Sequence, residues 1–196
     1  MARVAEPSHL TPDEYLAWER TQPIRHEFFH GEVFAMAGGS PRHNVLCIRV
    51  SSRLETQLRD RCFVMSSDQR VVAAHREHYV YPDVSVVWGP LLMEPGTSDV
   101  LANPTIVVEV LSASTEQYDR GVKWESYQRI ESLTDYVLVS QSHRRIEHFR
   151  RDRTRSWLYQ VAGEGGRILL SNDAVLDVDT IFAGVLELSG DDDPRL

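Results

Sequence analysis

A chain of 196 residues with 42% hydrophobic and 26% charged side chains is long enough for one well-buried core and short for two. It contains nothing near the roughly 18 consecutive apolar residues of a membrane span, and its first residues, MARVAEPSHL, lack the apolar run of a secretory signal. A cytoplasmic protein with no membrane partner is expected. The formal net charge of −8 argues against indiscriminate nucleic-acid binding, which needs a positive surface, but leaves room for a local basic groove.

In chain order, TPDEYLAWER (11–20) opens with a Thr cap and a Pro at the first helical position and predicts a short helix. The aromatic and β-branched stretch 24–37 predicts two short strands turning at His30-Gly31. After the loop GGSP, residues 42–60 place Val45, Leu46, Ile48, Val50, Leu54 and Leu58 near helical spacing. Residues 62–74 and 78–88 read as two strands of a hairpin joined at His75-Arg76-Glu77. Residues 89–103 read as a surface loop, and 104–111 as a strand buried on both faces. Ser114 or Thr115 is the expected cap of a helix reaching about Ile130. Three further strands are expected at 134–140, 144–150 and 156–162, the last two as a hairpin. Residues 1–190 form a single expected domain, with 191–196 a disordered acidic tail.

Two cysteines, Cys47 and Cys62, are too far apart for a CxxC motif and make no disulfide framework, so buried, unreactive thiols are expected. Among the 21 Lys and Arg residues there is a single lysine, Lys123. A bias toward Arg explains the others; the exception points to a position that needs a compact ammonium, which a planar guanidinium does not replace.

Glu109 sits in the most apolar strand, with Val107 and Leu111 on its own face and Ile106, Val108 and Val110 on the other. Burying a carboxylate there requires a metal, a cation or good hydrogen bonds. On this strand alone, a structural carboxylate paired with an arginine or facing a helix N-terminus is the leading reading. Asp83, beside Pro82 and among valines, is a second acid in a second strand. Two such acids brought together need a cation, and Mg²⁺ or Mn²⁺ takes oxygen ligands of this kind. Lys123, about two turns into the following helix, can reach back to that strand end, with Asp119 and Tyr127 as its neighbours at four residues' spacing. As a helix-face residue it is expected to tolerate Arg with little change in stability.

The segments YPDVSVVWGP, NPTIVVEVLSASTEQYDRGVKWESYQRI and DYVLVSQ, together with HGEVFAMAGGSPRHN and SSDQRV, resemble the Uma-two family of restriction-endonuclease-like proteins over roughly residues 10–160. The resemblance implies an α/β PD-(D/E)xK fold, a central mixed β-sheet flanked by helices, with a Mg²⁺ or Mn²⁺ site. Asp83 matches the family's PD aspartate, Glu109 its E-V-L glutamate, Lys123 its helix lysine and Glu32 its early G-E glutamate; Gln69 is a weaker candidate for substrate or metal-water contact. In the wider superfamily the lysine follows the acid by two residues, where this chain has Leu111. The implied activity is metal-dependent endonuclease cleavage of DNA, with DNA as substrate; a homodimer is a separate expectation for the assembly. The alternative is a non-cleaving module of the same fold that binds nucleic acid or protein.

Two motifs compete with this reading. Residues 26–30 spell His-Glu-Phe-Phe-His, but H-E-x-x-H holds zinc only on a helix. A strand is expected here, which spreads His26 and His30 about 13 Å apart. The arginine-rich segment 143–155 could face nucleic acid or line the solvent side of a hairpin.

Overall fold

The computed structural model describes residues 9–36 and 38–189; the expected tail at 191–196 lies outside them. Among the described residues no helix is long and apolar enough to cross a membrane.

Helix α1 (Pro12–Glu19) starts as its sequence predicts: the Thr11 hydroxyl accepts the Glu14 N–H, and the Glu14 carboxylate accepts the Thr11 N–H in return. Strands β1 (His26–Phe29) and β2 (Glu32–Ala35) pair antiparallel across His30-Gly31. Both turn residues have positive φ, 48° and 95°, which a glycine at the second position accommodates without strain. Helix α2 (Pro41–Leu58), capped by the Ser40 hydroxyl, buries Leu46, Val50, Leu54 and Leu58 along one stripe at a spacing of four.

The hairpin of residues 62–88 divides between two sheets. Strands β3 (Cys62–Ser66) and β4 (Arg70–Ala73) stand where one strand was expected, as do β5 (His78–Val80) and β6 (Val84–Trp88). The break before β6 falls at Tyr81-Pro82-Asp83, where proline has no N–H for a ladder. Strand β7 (Val100–Leu101) corrects the expectation of a surface loop over 89–103: both residues are fully buried and pair parallel with β4.

The larger sheet also holds β8 (Ile106–Leu111), β9 (Asp135–Ser140), β10 (Ile146–Arg151) and β11 (Trp157–Ala162), in the order β11-β10-β9-β8-β6-β3. The β8–β9 pair is parallel and the rest antiparallel, a mixed sheet. The smaller sheet runs β2-β1-β5-β4-β7. Two short strands, β12 (Arg167–Leu169) and β13 (Val175–Asp177), lead into α5 (Val178–Phe182), with α3 (Glu116–Tyr118) and α4 (Trp124–Tyr127) lying earlier in the chain, between β8 and β9.

Alternation along β8 sorts the core into two layers. Ile106, Val108 and Val110 face α2, α5 and the β12–β13 pair. Val107 and Leu111 face Tyr127, Ile130, Leu133 and the buried residues of β4 and β5. Each buried aliphatic side chain contributes about 1.5–3 kcal/mol, so a carboxylate at position 109 is held by many such contacts.

The helix expected over 114–130 is shorter and irregular: α3 (Glu116–Tyr118), a π-helical turn (Asp119–Lys123) and α4 (Trp124–Tyr127). Thr115 makes no side-chain cap; the Ser112 hydroxyl accepts its N–H instead. The π turn carries both Asp119 and Lys123 into the interior and is a local irregularity of the kind found at functional sites.

Candidate metal centre

Asp83 stands at the entrance to β6, directly beside β8. Its Oδ2 accepts the Val110 N–H at 2.7 Å, and its own N–H points at Glu109 Oε2 at 3.4 Å. The reason is local: the Pro82 break frees the residue before β6 to turn its side chain onto the neighbouring strand rather than continue the ladder. Asp83, one residue before β6, and Glu109, on β8, therefore occupy adjoining positions at the same end of two neighbouring strands.

Glu109 is buried. Its Oε1 accepts Tyr127 OH at 2.7 Å and Lys123 Nζ at 3.2 Å. Lys123, also buried, has Glu27 Oε1 at 3.0 Å and Asp119 Oδ1 at 3.3 Å. The Tyr118 ring lies 5.5 Å from Nζ. The Tyr118 hydroxyl meets His78 Nε2 at 2.7 Å, and His78 Nδ1 meets Ser126 Oγ at 2.8 Å. Helix α2 adds His43, with Nε2 3.2 Å from Asp83 Oδ2 and Nδ1 3.6 Å from Cys47 Sγ.

Burial lifts the Glu109 carboxyl well above the usual carboxylate range; Lys123 pulls it down, and Asp119, Asp83 and Glu27 push it up again. Burial alone would lower the Lys123 ammonium, but Glu109, Glu27 and Asp119 outweigh it and keep it charged. Burial raises the Cys47 thiol, as do the nearby Asp83 and Glu109. Burial, then the charge of Lys123, lowers His78 to about 3, so its imidazole is neutral at pH 7.

Three carboxylates (Glu27, Glu109 and Asp119) thus surround one ammonium, and a fourth, Asp83, adjoins Glu109. Such an excess of hard oxygen donors fits a divalent cation of the Mg²⁺ or Mn²⁺ class. Asp83 and Glu109 are the residues that would hold such an ion, with Lys123 on the other oxygen of Glu109.

The other expected residues fall elsewhere. Glu32 is exposed at the start of β2; the carboxylate that reaches Lys123 from this hairpin is Glu27, on β1. Gln69 lies in the turn before β4, where its amide donates to the carbonyls of Arg70 and Asp99 and braces the chain. The His-Glu-Phe-Phe-His segment is a strand, as expected: buried His26 pairs with Glu19 at 3.0 Å, while His30 lies in the turn. The arginine-rich segment is largely engaged in structure. Arg145 joins Arg120 on the buried Glu147, Arg144 reaches Glu164, and Arg151 donates to the carbonyls of Gln128 and Ile130.

Sequence reasoning passed over Glu27 and His43. Glu27 carried a signal, a lone acid amid aromatic strand residues, which the H-E-x-x-H spelling obscured. His43 carried one in its i,i+4 spacing to Cys47 on an amphipathic helix.

The family model Uma2, described as "Putative restriction endonuclease", matches residues 12–182. Two relatives from Synechocystis, the uncharacterized proteins slr1290 and sll1609, are 35% and 34% identical. The first match covers 90% of this chain and 93% of the relative, the second 87% and 98%. A crystal structure from Anabaena variabilis, described as "a putative nuclease belonging to DUF820", superposes with a TM-score of 0.72 at 16% identity, covering 90% of this chain and 99% of that one. That likeness bears on the fold alone. With the family model spanning α1 to α5 and the acids carried by the mixed sheet, the chain belongs to the Uma2 family and has its restriction-endonuclease-like α/β fold.

Proposed function

We propose that the chain is a Mg²⁺- or Mn²⁺-dependent endonuclease that hydrolyses phosphodiester bonds in DNA, acting as a single domain. The observation that carries this reading is the placement of Asp83, at the entrance to β6, beside Glu109 on β8, with Lys123 on the far oxygen of Glu109. Asp83 and Glu109 would hold the cation. When bound, the cation supplies Lewis-acid activation of the phosphate and of the attacking water. Lys123 orients that water and offsets negative charge on the phosphate, a role of position and electrostatics rather than covalent chemistry. Glu27, Asp119 and Tyr127 keep the ammonium and Glu109 in register. A homodimer would offer one centre per strand of a duplex, which sedimentation with and without DNA checks.

Incubation of tag-free protein with supercoiled, linear and single-stranded DNA, with Mg²⁺ or Mn²⁺ and an EDTA control, tests the proposal. Cleavage that requires the metal and disappears in Asp83→Asn supports it. The absence of metal-dependent cleavage on every substrate would favour the non-cleaving module, the reading that agrees with the net charge of −8.

A further inference from the structure

The three residues His43, Cys47 and Asp83 form a second donor set at the edge of the acidic centre. His43 and Cys47 lie four residues apart on α2, so they share one helix face. That face meets Asp83 where it enters β6. Taking one donor atom from each residue, all three lie within 4.8 Å of one another. His43 approaches Asp83 Oδ2 through Nε2 at 3.2 Å and Cys47 Sγ through Nδ1 at 3.6 Å, so the imidazole lies between the other two donors, and the set is compact enough to contract onto one ion, whose tetrahedral shell spaces its ligands by about 3.4–3.6 Å. Because an ion takes one imidazole nitrogen, binding requires the ring to turn so that a single nitrogen faces the ion shared with Asp83 and Cys47.

The donors differ in kind from those around Lys123. Imidazole and thiolate are borderline to soft ligands and select zinc-class ions over magnesium, whereas carboxylates alone do the reverse. A role for Cys47 in packing alone does not account for a sulfur aimed at an imidazole that is itself aimed at a carboxylate. The His43 and Asp83 side chains retain 18% and 13% exposure. An ion can therefore enter from solvent and keep a water in its fourth position, the arrangement of an open rather than a sealed zinc site.

We infer that His43, Cys47 and Asp83 form a binding site for a zinc-class divalent ion, with Zn²⁺ or Co²⁺ as the ligand. As the ion binds, the Cys47 thiol transfers its proton to solvent and the sulfur donates its electron pair to the metal. Asp83 belongs to this set and to the proposed nuclease centre, so a zinc-class ion here competes with Mg²⁺ for that carboxylate. The inference shares Asp83 with the nuclease reading and does not depend on cleavage.

Co²⁺ is the probe, because cobalt bound to a thiolate in tetrahedral geometry gives a near-ultraviolet sulfur-to-metal charge-transfer band and intense visible bands. Tag-free wild-type protein, reduced and titrated with Co²⁺, is expected to show both with one equivalent bound and to lose both on adding Zn²⁺. Cys47→Ser should lose the near-ultraviolet band, Cys62→Ser should keep it, and His43→Ala should bind Co²⁺ at least about tenfold more weakly. Circular dichroism verifies that each variant is folded. Glu109→Gln should keep the cobalt spectrum even though the proposed nuclease loses its centre, so failure of cleavage and failure of this site read out separately. A folded wild-type protein with no charge-transfer band, or a band that survives Cys47→Ser, overturns the inference.

Discussion

The Lys123 ammonium lies 3.2 Å from Glu109 Oε1, across 14 residues of chain, with Glu27 and Asp119 completing its shell. This changes what a substitution there does. Lys123 is not a solvated helix-face residue but a buried charge, so the expectation that Arg would leave stability untouched does not survive.

Lys123→Arg is expected to lose both activity and stability. The forked guanidinium is larger than the ammonium, and overpacking of this kind costs about 1–3 kcal/mol. Cleavage should fall about a hundredfold to a thousandfold with the loss of a positioned charge-stabilising group. Melting curves and a DNA-cleavage assay on one preparation check both. Equal cleavage by the two proteins would remove Lys123 from the chemistry.

Glu109→Gln is expected to fold as well as wild type in the absence of metal. Burial raises the Glu109 pKa, as do the neighbouring acids, against the pull of Lys123; the shift is toward the neutral form that Gln imitates, whereas a bound Mn²⁺ favours the anion. Wild-type binding should release a proton and tighten as pH rises, and the variant should bind at least about tenfold more weakly. Calorimetry in buffers of different ionisation enthalpy measures the proton directly; equal heats in all buffers would contradict the argument.

Glu27→Gln and Glu32→Gln separate the two acids of the first hairpin. Glu27 touches Lys123 at 3.0 Å, whereas Glu32 is exposed. The first variant should reduce cleavage by at least about tenfold, as loss of an outer-shell partner does; the second should change it by less than about twofold, as surface substitutions generally do. The reverse order would restore Glu32 to the site.

His78 makes acid sensitivity predictable in sign. Its folded pKa of about 3 lies below the ordinary 6.5, so between those values the unfolded chain binds a proton that the folded chain does not. Its contribution to stability is present above pH 6.5 and is lost as pH falls toward 3. Urea unfolding of wild type and His78→Gln at pH 7, 6 and 5 checks this: the wild-type slope with pH should be the steeper. Parallel slopes would mean that His78 titrates normally.

Short-range physics made much of this protein legible in its sequence. The capping box at Thr11 and Glu14, the turn at His30-Gly31, the stripe of α2 and the isolation of Glu109 among alternating apolar residues are all set within a few positions of chain. Asp83 and the single lysine were legible for the same reason, as charges where local pattern demands apolar residues or arginine. Only the tertiary structure decided that the hairpin of residues 62–88 divides between two sheets at Pro82, and that Glu27 rather than Glu32 closes on Lys123. It also decided that a π turn carries Asp119 and Lys123 inward together, and that α2 lays His43 and Cys47 against Asp83. Each of these is a contact between segments distant in sequence, fixed by which faces two sheets and a helix bury against one another, and local spacing holds no record of that choice.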